Sequence, residues 1–181
     1  ESYWGNVNSY GPRACYDEGK RAGEALIYSQ IYESGIDARI MRIFNTYGPN
    51  MAVDDGRVVS NFLISALRSE PLLVQGDGSQ TRSFCYISDL IQGIISLAKL
   101  PQNPGGPVNL GNPSETSILS LAKMVIEIAG RGEIQFADAA IDDPKTRKPD
   151  ISRAQTILGW HPNVGLEEGL KSTYEYFSTK I

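Results

Sequence analysis

Asp37-Ala-Arg-Ile-Met-Arg-Ile-Phe44 is the stretch on which the fold turns. Apolar side chains and aliphatic-stemmed arginines over eight residues predict a buried strand of the kind found inside parallel sheets. Such a strand is too apolar for an exposed edge, so it calls for neighbours on both sides. Just before it, Arg13 to Ser34 reads as a long helix closed by Gly35, with Ala14, Ala22, Ala25, Leu26, Ser29 and Ile31 as helix formers or a buried stripe. Just after it, Asn45-Thr-Tyr-Gly-Pro49 breaks the run and a loop continues to Gly56.

Working outward, Val58 to Arg68 reads as a helix and Leu72-Leu-Val-Gln75 as a strand ending in the turn Gly76-Asp-Gly78. Ser88 or Asp89 can cap an apolar helix reaching about Lys99, and Val108-Asn-Leu110 is a strand after a turn-rich loop. Ser117 can cap a helix to Ala129, and Glu133-Ile-Gln-Phe136 is a strand. A polar loop, Asp142 to Pro149, then leads to short helices at 151–158 and 166–177. Strands alternating with helices predict an α/β fold with parallel pairing.

A formal charge of −4 argues against nucleic acid or an anionic membrane as partner, so an anionic ligand must be held by particular arginines. Cys15 and Cys85 are too few for a disulfide framework and read as small buried apolar residues in a reducing compartment. No apolar run is long enough to span a membrane, and no His/Cys/carboxylate cluster suggests a metal. His161, in Gly-Trp-His-Pro, reads as structural.

Within the helix that precedes the strand lie Tyr16 and Lys20, in Gly11-Pro-Arg-Ala-Cys-Tyr-Asp-Glu-Gly-Lys-Arg21. Residues four apart share a helix face, and an ammonium beside a phenol favours the phenolate, a base able to take a proton from an alcohol. The spacing alone is weak evidence, because the chain repeats it at Tyr176-Phe-Ser-Thr-Lys180. That second copy lacks flanking context and reads as solvated helix surface.

The flanking context of the first copy is an ordered set of motifs: Arg42-Ile-Phe-Asn-Thr-Tyr-Gly-Pro49, Leu72 to Asp89 and Val108-Asn-Leu-Gly111. This order resembles the extended short-chain dehydrogenase/reductases that act on nucleotide sugars. Within them, the Gly11–Arg21 stretch, Asp55-Gly-Arg-Val-Val-Ser-Asn-Phe62 and Arg147-Lys-Pro-Asp-Ile151 resemble the UDP-glucuronate decarboxylases, or UDP-xylose synthases. The likeness runs from about residue 1 to 178. It implies the C-terminal part of a Rossmann-like doubly wound parallel sheet plus a small α/β substrate-binding lobe. Residues 1–56 would be the remnant of the NAD-binding domain. Residues 57–181 would be mostly nucleotide-sugar lobe, interleaved with returning Rossmann elements.

By the same resemblance Tyr16 would deprotonate the sugar C4 hydroxyl, and Lys20 would support it while bonding the nicotinamide ribose. NAD would be the cofactor, with Tyr16, Lys20, Ile43 and Thr46 on its nicotinamide side and Arg57 contacting either the cofactor or the nucleotide sugar. Asn45, Arg57, Val58, Gln75, Arg82 and Arg147 would bind a UDP-sugar, the last two gripping the diphosphate through planar guanidinium groups. The simpler readings are an Asn that starts a turn, and arginines paired with Asp77, Asp142 or Asp143. The reaction implied is decarboxylation of UDP-glucuronate to UDP-xylose through a 4-keto intermediate. A 4,6-dehydratase or 4-epimerase of the same family is the alternative. The glycine-rich Gly-x-x-Gly-x-x-Gly turn that holds the NAD pyrophosphate is missing from the sequence, as is the Ser/Thr-Ser-Glu-Val-Tyr-Gly segment with a catalytic hydroxyl and Glu. These residues are therefore expected to form roughly the C-terminal half of the enzyme, and alone to be an inactive fragment that binds no NAD. The resemblance also implies a homodimer and a cytoplasmic or, with an anchor in a preceding segment, Golgi location.

Overall fold

The computed structural model describes residues 1, 5, 8–138 and 146–181, the side chains of 146 and 147 excepted. The elements run α1 (Ala14–Ser34), β1 (Met41–Ile43), β2 (Thr46–Tyr47), α2 (Val58–Arg68), β3 (Leu72–Gln75), β4 (Thr81–Ser83) and β5 (Cys85–Tyr86). They continue α3 (Ile87–Ala98), β6 (Val108–Leu110), β7 (Glu115–Ser117), α4 (Ile118–Ala129), β8 (Ile134–Ala137), β9 (Thr146–Arg147), α5 (Ser152–Leu158) and α6 (Leu166–Ser178). The fold is α/β with parallel strand pairs, as the sequence predicts. β1 pairs with β6, β2 with β5 and β3 with β8, all parallel. β4 lies between β7, antiparallel, and β9, parallel.

Two apolar cores hold these elements. In the first, Phe62 and Leu63 of α2, Leu121 and Val125 of α4, and Leu170 and Phe177 of α6 close over Leu72 and Val74 of β3. In the second, Leu90 and Leu97 of α3, Ala154 of α5 and Trp160 close over Val108 and Leu110 of β6. Burying each large side chain contributes about 1.5–3 kcal/mol relative to leaving it exposed. Tyr47 belongs to the first core and its Oη donates to the Leu166 carbonyl at 3.2 Å, which seats α6. Gly169 is required beneath that ring: a Cβ there would overlap the Tyr47 hydroxyl and the Tyr86 ring.

The helix ends follow local chemistry. Gly35 stops α1 in the left-handed region at φ +64°, and Ser117 accepts the Ser120 amide to open α4. α3 differs from expectation. It starts at Ile87 behind Tyr86, without a side-chain cap. Asp89 is instead buried in the first turn, where its carboxylate accepts the amides of Asn163 and Val164 at 3.0 and 2.9 Å. A tertiary bond has displaced a local one.

The strand expected over 37–44 shrinks to Met41–Ile43, and among the described residues it has one neighbour, β6. Ile40 still accepts the Val108 amide at 3.0 Å, and ahead of it Arg39 holds the segment by donating to the Leu100 carbonyl at 2.7 Å and pairing with Asp37 at 2.9 Å. The apolar stripe expected on α1 is also corrected. No α1 residue is fully buried, and Leu26, Tyr28 and Tyr32 are exposed. Cys15 is exposed rather than buried, because its helix packs on little. Cys85 is buried, and burial pushes its thiol up to about 12, so it stays a protonated, inert packing group. Among the described residues no helix is long and apolar enough to cross a membrane.

Candidate active site

The site forms where one parallel ladder hands over to another. The Phe44 amide still bonds to the Leu110 carbonyl of β6 at 3.1 Å, but the next carbonyl, that of Asn45, accepts the Cys85 amide of β5 at 2.9 Å. The chain thus leaves the β1–β6 pair and joins the β2–β5 pair at Asn45. A crevice beyond the carboxyl ends of parallel strands, at such a change of partner, is where α/β folds place ligands. Thr46 follows, its hydroxyl donating to the Phe44 carbonyl at 2.9 Å.

Beyond this point opens a cavity of about 810 Å³, large enough for a nucleotide-sized ligand. It brings together Asn45, Thr46, Arg57, Val58, Gln75 and Arg82, six of the residues predicted from sequence. Each comes from a different structural cause. Arg57 occupies the N-cap position of α2, where Ser60 Oγ donates to its carbonyl at 2.9 Å, and its guanidinium pairs with Asp55 at 3.3 Å. No acidic residue stands in the first turn of α2, so its free amides offer positive potential to an anion, with Asp54 and Asp55 just ahead of the helix offsetting part of it. Gln75 ends β3, with the Gln80 amide group donating to its carbonyl at 2.9 Å. Arg82 is only 8% exposed, on the middle strand β4, and Nη1 donates to the Thr81 carbonyl at 2.7 Å. The β4–β9 register puts the Arg147 backbone opposite that of Arg82, while the Arg147 side chain lies outside the described residues, as do Asp142 and Asp143. Asp77 is occupied by its own turn, its carboxylate held low by the Ser79 hydroxyl and amide at 2.6 and 2.9 Å.

Three predicted residues lie outside the cavity lining: Tyr16, Lys20 and Ile43. Tyr16 is 63% exposed, with Lys20 Nζ 5.5 Å from its ring centroid. The repeat on α6 has nearly the same geometry, Lys180 Nζ standing 5.4 Å from the Tyr176 ring, so the pair's local contact does not single it out. Contrary to expectation, Tyr176 is half-buried against the first core. Ile43, 52% exposed, ends β1 one residue before Thr46's supporting carbonyl. What fixes α1 to this strand is a bidentate pair, with Glu24 carboxylate oxygens 2.7 Å from both Nε and Nη2 of Arg42. The Arg42 bonds hold the Glu24 carboxyl below its usual range, and Glu24 raises Arg42.

The cavity adds residues that the sequence reading passed over, notably Arg13, Asn61, Arg68 and Phe84. On α2 the signal was available. Val58, Asn61, Phe62, Ser65 and Arg68 recur at helical spacing, so a ligand-facing Arg57–Val58 carries the others onto the same wall. Arg13 stands within the motif quoted for Tyr16, three residues ahead of it.

The profile of the NAD dependent epimerase/dehydratase family matches residues 5–111. The chain belongs to that family. Among curated proteins, it is 52% identical over 182 residues to UDP-glucuronic acid decarboxylase 1 of Xenopus tropicalis, covering all of this chain and 43% of the relative. It is 53% identical to UDP-glucuronic acid decarboxylase 3 of Arabidopsis thaliana, covering 53% of that protein. The chain therefore spans about half the length of the curated relatives it matches. Among solved structures, it matches UDP-glucuronic acid 4-epimerase of Bacillus cereus in complex with UDP-glucuronic acid and NAD. The TM-score is 0.87 at 31% identity, covering all of this chain and 59% of the other.

Proposed function

We propose that this chain supplies the substrate cavity and the Tyr–Lys pair of an NAD-dependent UDP-glucuronate decarboxylase. The observation that carries the reading is the cavity, which collects Asn45, Arg57 and Arg82 at the strand handover of a chain about half identical to such decarboxylases throughout. Arg82, buried and pinned to its own strand, suits a diphosphate that must be held without moving, and the α2 N-terminus adds amide donors. Arg147, in register with Arg82, is assigned to the same diphosphate, Gln75 to the border of the uracil ring, and Asn45 to the sugar.

Tyr16 takes the proton from the C4 hydroxyl and returns it at the end of the cycle, with Lys20 at its side. Once C4 is a ketone, the carboxylate on C5 is a β-keto acid. The C5–C6 bond then breaks, CO2 leaves, and the electron pair rests in the enolate until C5 takes a proton. NAD supplies the reversible redox exchange at C4. The groups present fit the nicotinamide half of that cofactor: the Lys20 ammonium would donate, Thr46 Oγ, whose proton goes to the Phe44 carbonyl, would accept, and the exposed Ile43 would offer an apolar face. The sequence contains no Gly-x-x-Gly-x-x-Gly for the pyrophosphate half.

The test is incubation of the full-length gene product with UDP-glucuronate and NAD. Release of CO2 with formation of UDP-xylose is expected. Turnover of a UDP- or dTDP-hexose in place of UDP-glucuronate would favour a 4-epimerase or dehydratase and overturn the proposal. The B. cereus match, a UDP-glucuronic acid 4-epimerase, is the observation on the side of that second reading.

A further inference from the structure

We propose that Glu24 and Arg42 are positioning residues for the chemistry: their pair sets where along the strand Tyr16 and Lys20 stand, although neither lines the substrate cavity. The inference rests on the reading of Tyr16 as the base. Tyr16, Lys20 and Glu24 stand at i, i+4 and i+8 of α1. Each step rises about 6 Å and turns about 40° past a full revolution, so the three form one slowly winding row. Glu24 ends that row and grips the strand, its two oxygens 2.7 Å from Nε and Nη2 of Arg42. A fork of this kind fixes orientation as well as distance, so it holds the helix in register with the strand.

The lengths on either side of the tie agree. The chain turns back at Gly35, and Glu24, Tyr28 and Ile31 of α1 share a cleft with Ala38, Ile40 and Arg42, so helix and strand run alongside in opposite directions. Measured from the tie, Tyr16 lies back along the helix by about 12 Å, at 1.5 Å per residue. Asn45, at the mouth of the cavity, lies onward along the strand by about 10 Å, at 3.3 Å per residue. Both lengths run the same way, so the base comes out level with the strand end. Arg42 is the firm side of the tie, held in β1 opposite Asn109 of β6. α1 is the side that needs holding, since it buries no residue completely. Its ion pairs Arg13–Asp17 and Arg21–Glu18 run along the helix itself, at i,i+4 and i,i+3, and place nothing relative to the strand.

Steady-state turnover of UDP-glucuronate and calorimetric binding of UDP, both in the full-length gene product, test the proposal. Arg42→Gln is expected to lower kcat by about tenfold to a hundredfold, the cost of shifting a reacting group by about 1 Å. KM and UDP affinity should change less than about twofold, because the cavity is built from other residues. Glu24→Gln should act in the same direction, and the double variant should cost no more than the worse single, since either change opens the same tie. Arg42→Lys should recover part of the loss, because it keeps the charge without the planar fork. A kcat within about twofold in Arg42→Gln would overturn the inference, as would losses that add in the double variant. An equal fall in UDP affinity would also overturn it, by marking a general structural role. If the unmutated protein binds UDP but does not turn over UDP-glucuronate, the reading of the reaction itself fails and takes the inference with it.

Discussion

The two Tyr-x-x-x-Lys pairs are alike in every local respect and differ in what surrounds them. Their ammonium-to-ring distances agree within 0.1 Å, at 5.5 and 5.4 Å, although Lys180 lies in the turn just past the end of α6, so the i,i+4 contact does not single out either site. On α6, however, Gly169, Leu170, Thr173 and Phe177 are buried, and Tyr176 leans on Phe177 with ring centroids 5.7 Å apart. α1 buries no residue completely and is tied to the strand that leads to the cavity by Glu24 and Arg42. A pair of residues is a structural ornament on one helix and a chemical proposal on the other. The difference comes from which strand end each helix adjoins.

The sharpest way to break this comparison is to remove each hydroxyl in turn. Tyr16→Phe in the full-length gene product is expected to lower turnover of UDP-glucuronate by about 10²–10⁴-fold, the contribution of a positioned proton-transfer group, with UDP binding nearly unchanged. Tyr176→Phe should leave turnover within about twofold. Steady-state rates decide it, and full activity in Tyr16→Phe would dethrone that residue.

Stability should show the reverse asymmetry. Phe177→Ala removes a fully buried ring and is expected to cost about 3–5 kcal/mol in denaturant unfolding. Leu26→Ala on α1, where the side chain is exposed, should stay within about 0.5 kcal/mol. Equal costs would mean that α1 is packed as tightly as α6. Gly169→Ala is expected to cost about 1–3 kcal/mol, since the added methyl must displace the Tyr47 hydroxyl and the Tyr86 ring.

The smallest effect concerns the Glu24–Arg42 tie. The folded-state pKa of Glu24 is lowered from an ordinary 4.5, chiefly by its hydrogen bonds from Arg42. Its contribution is therefore complete above pH 4.5 and is lost as pH falls through the lowered folded value. Hydrogen exchange of α1 amides, normalised to intrinsic rates, should rise relative to α6 on acidification through that window. Glu24→Gln should remove this dependence, and an unaltered profile in that variant would assign the coupling to another group.

Much of the fold was legible because helices carry their signals locally. The apolar spacing of α2 and α4, Gly35 after α1 and Ser117 before α4 all act within a few residues. The strands β2, β4, β5, β7 and β9, of two or three residues each, were not legible. Their pairing is with partners distant in sequence, so no local periodicity records it. The same reason explains Asp89, which reads as a helix cap in sequence and serves as a buried acceptor for Asn163 and Val164. It also explains Arg13, which has no mark of its own and enters the site only because α1 starts beside the cavity.

The sequence by itself determined the α/β class, the helices, the family likeness and six of the residues that meet in the cavity. The class and the helices rest on spacing and side-chain chemistry, whereas the six residues came through the resemblance of the motifs to a known family; both travel with the chain. Tertiary structure alone decided that Asn45 is the handover between two ladders, that Cys15 faces solvent while Cys85 is sealed, and that Tyr16 and Tyr176 lead different lives. Each of those depends on what a distant segment packs against, and burial is a property of the assembled fold rather than of the residue.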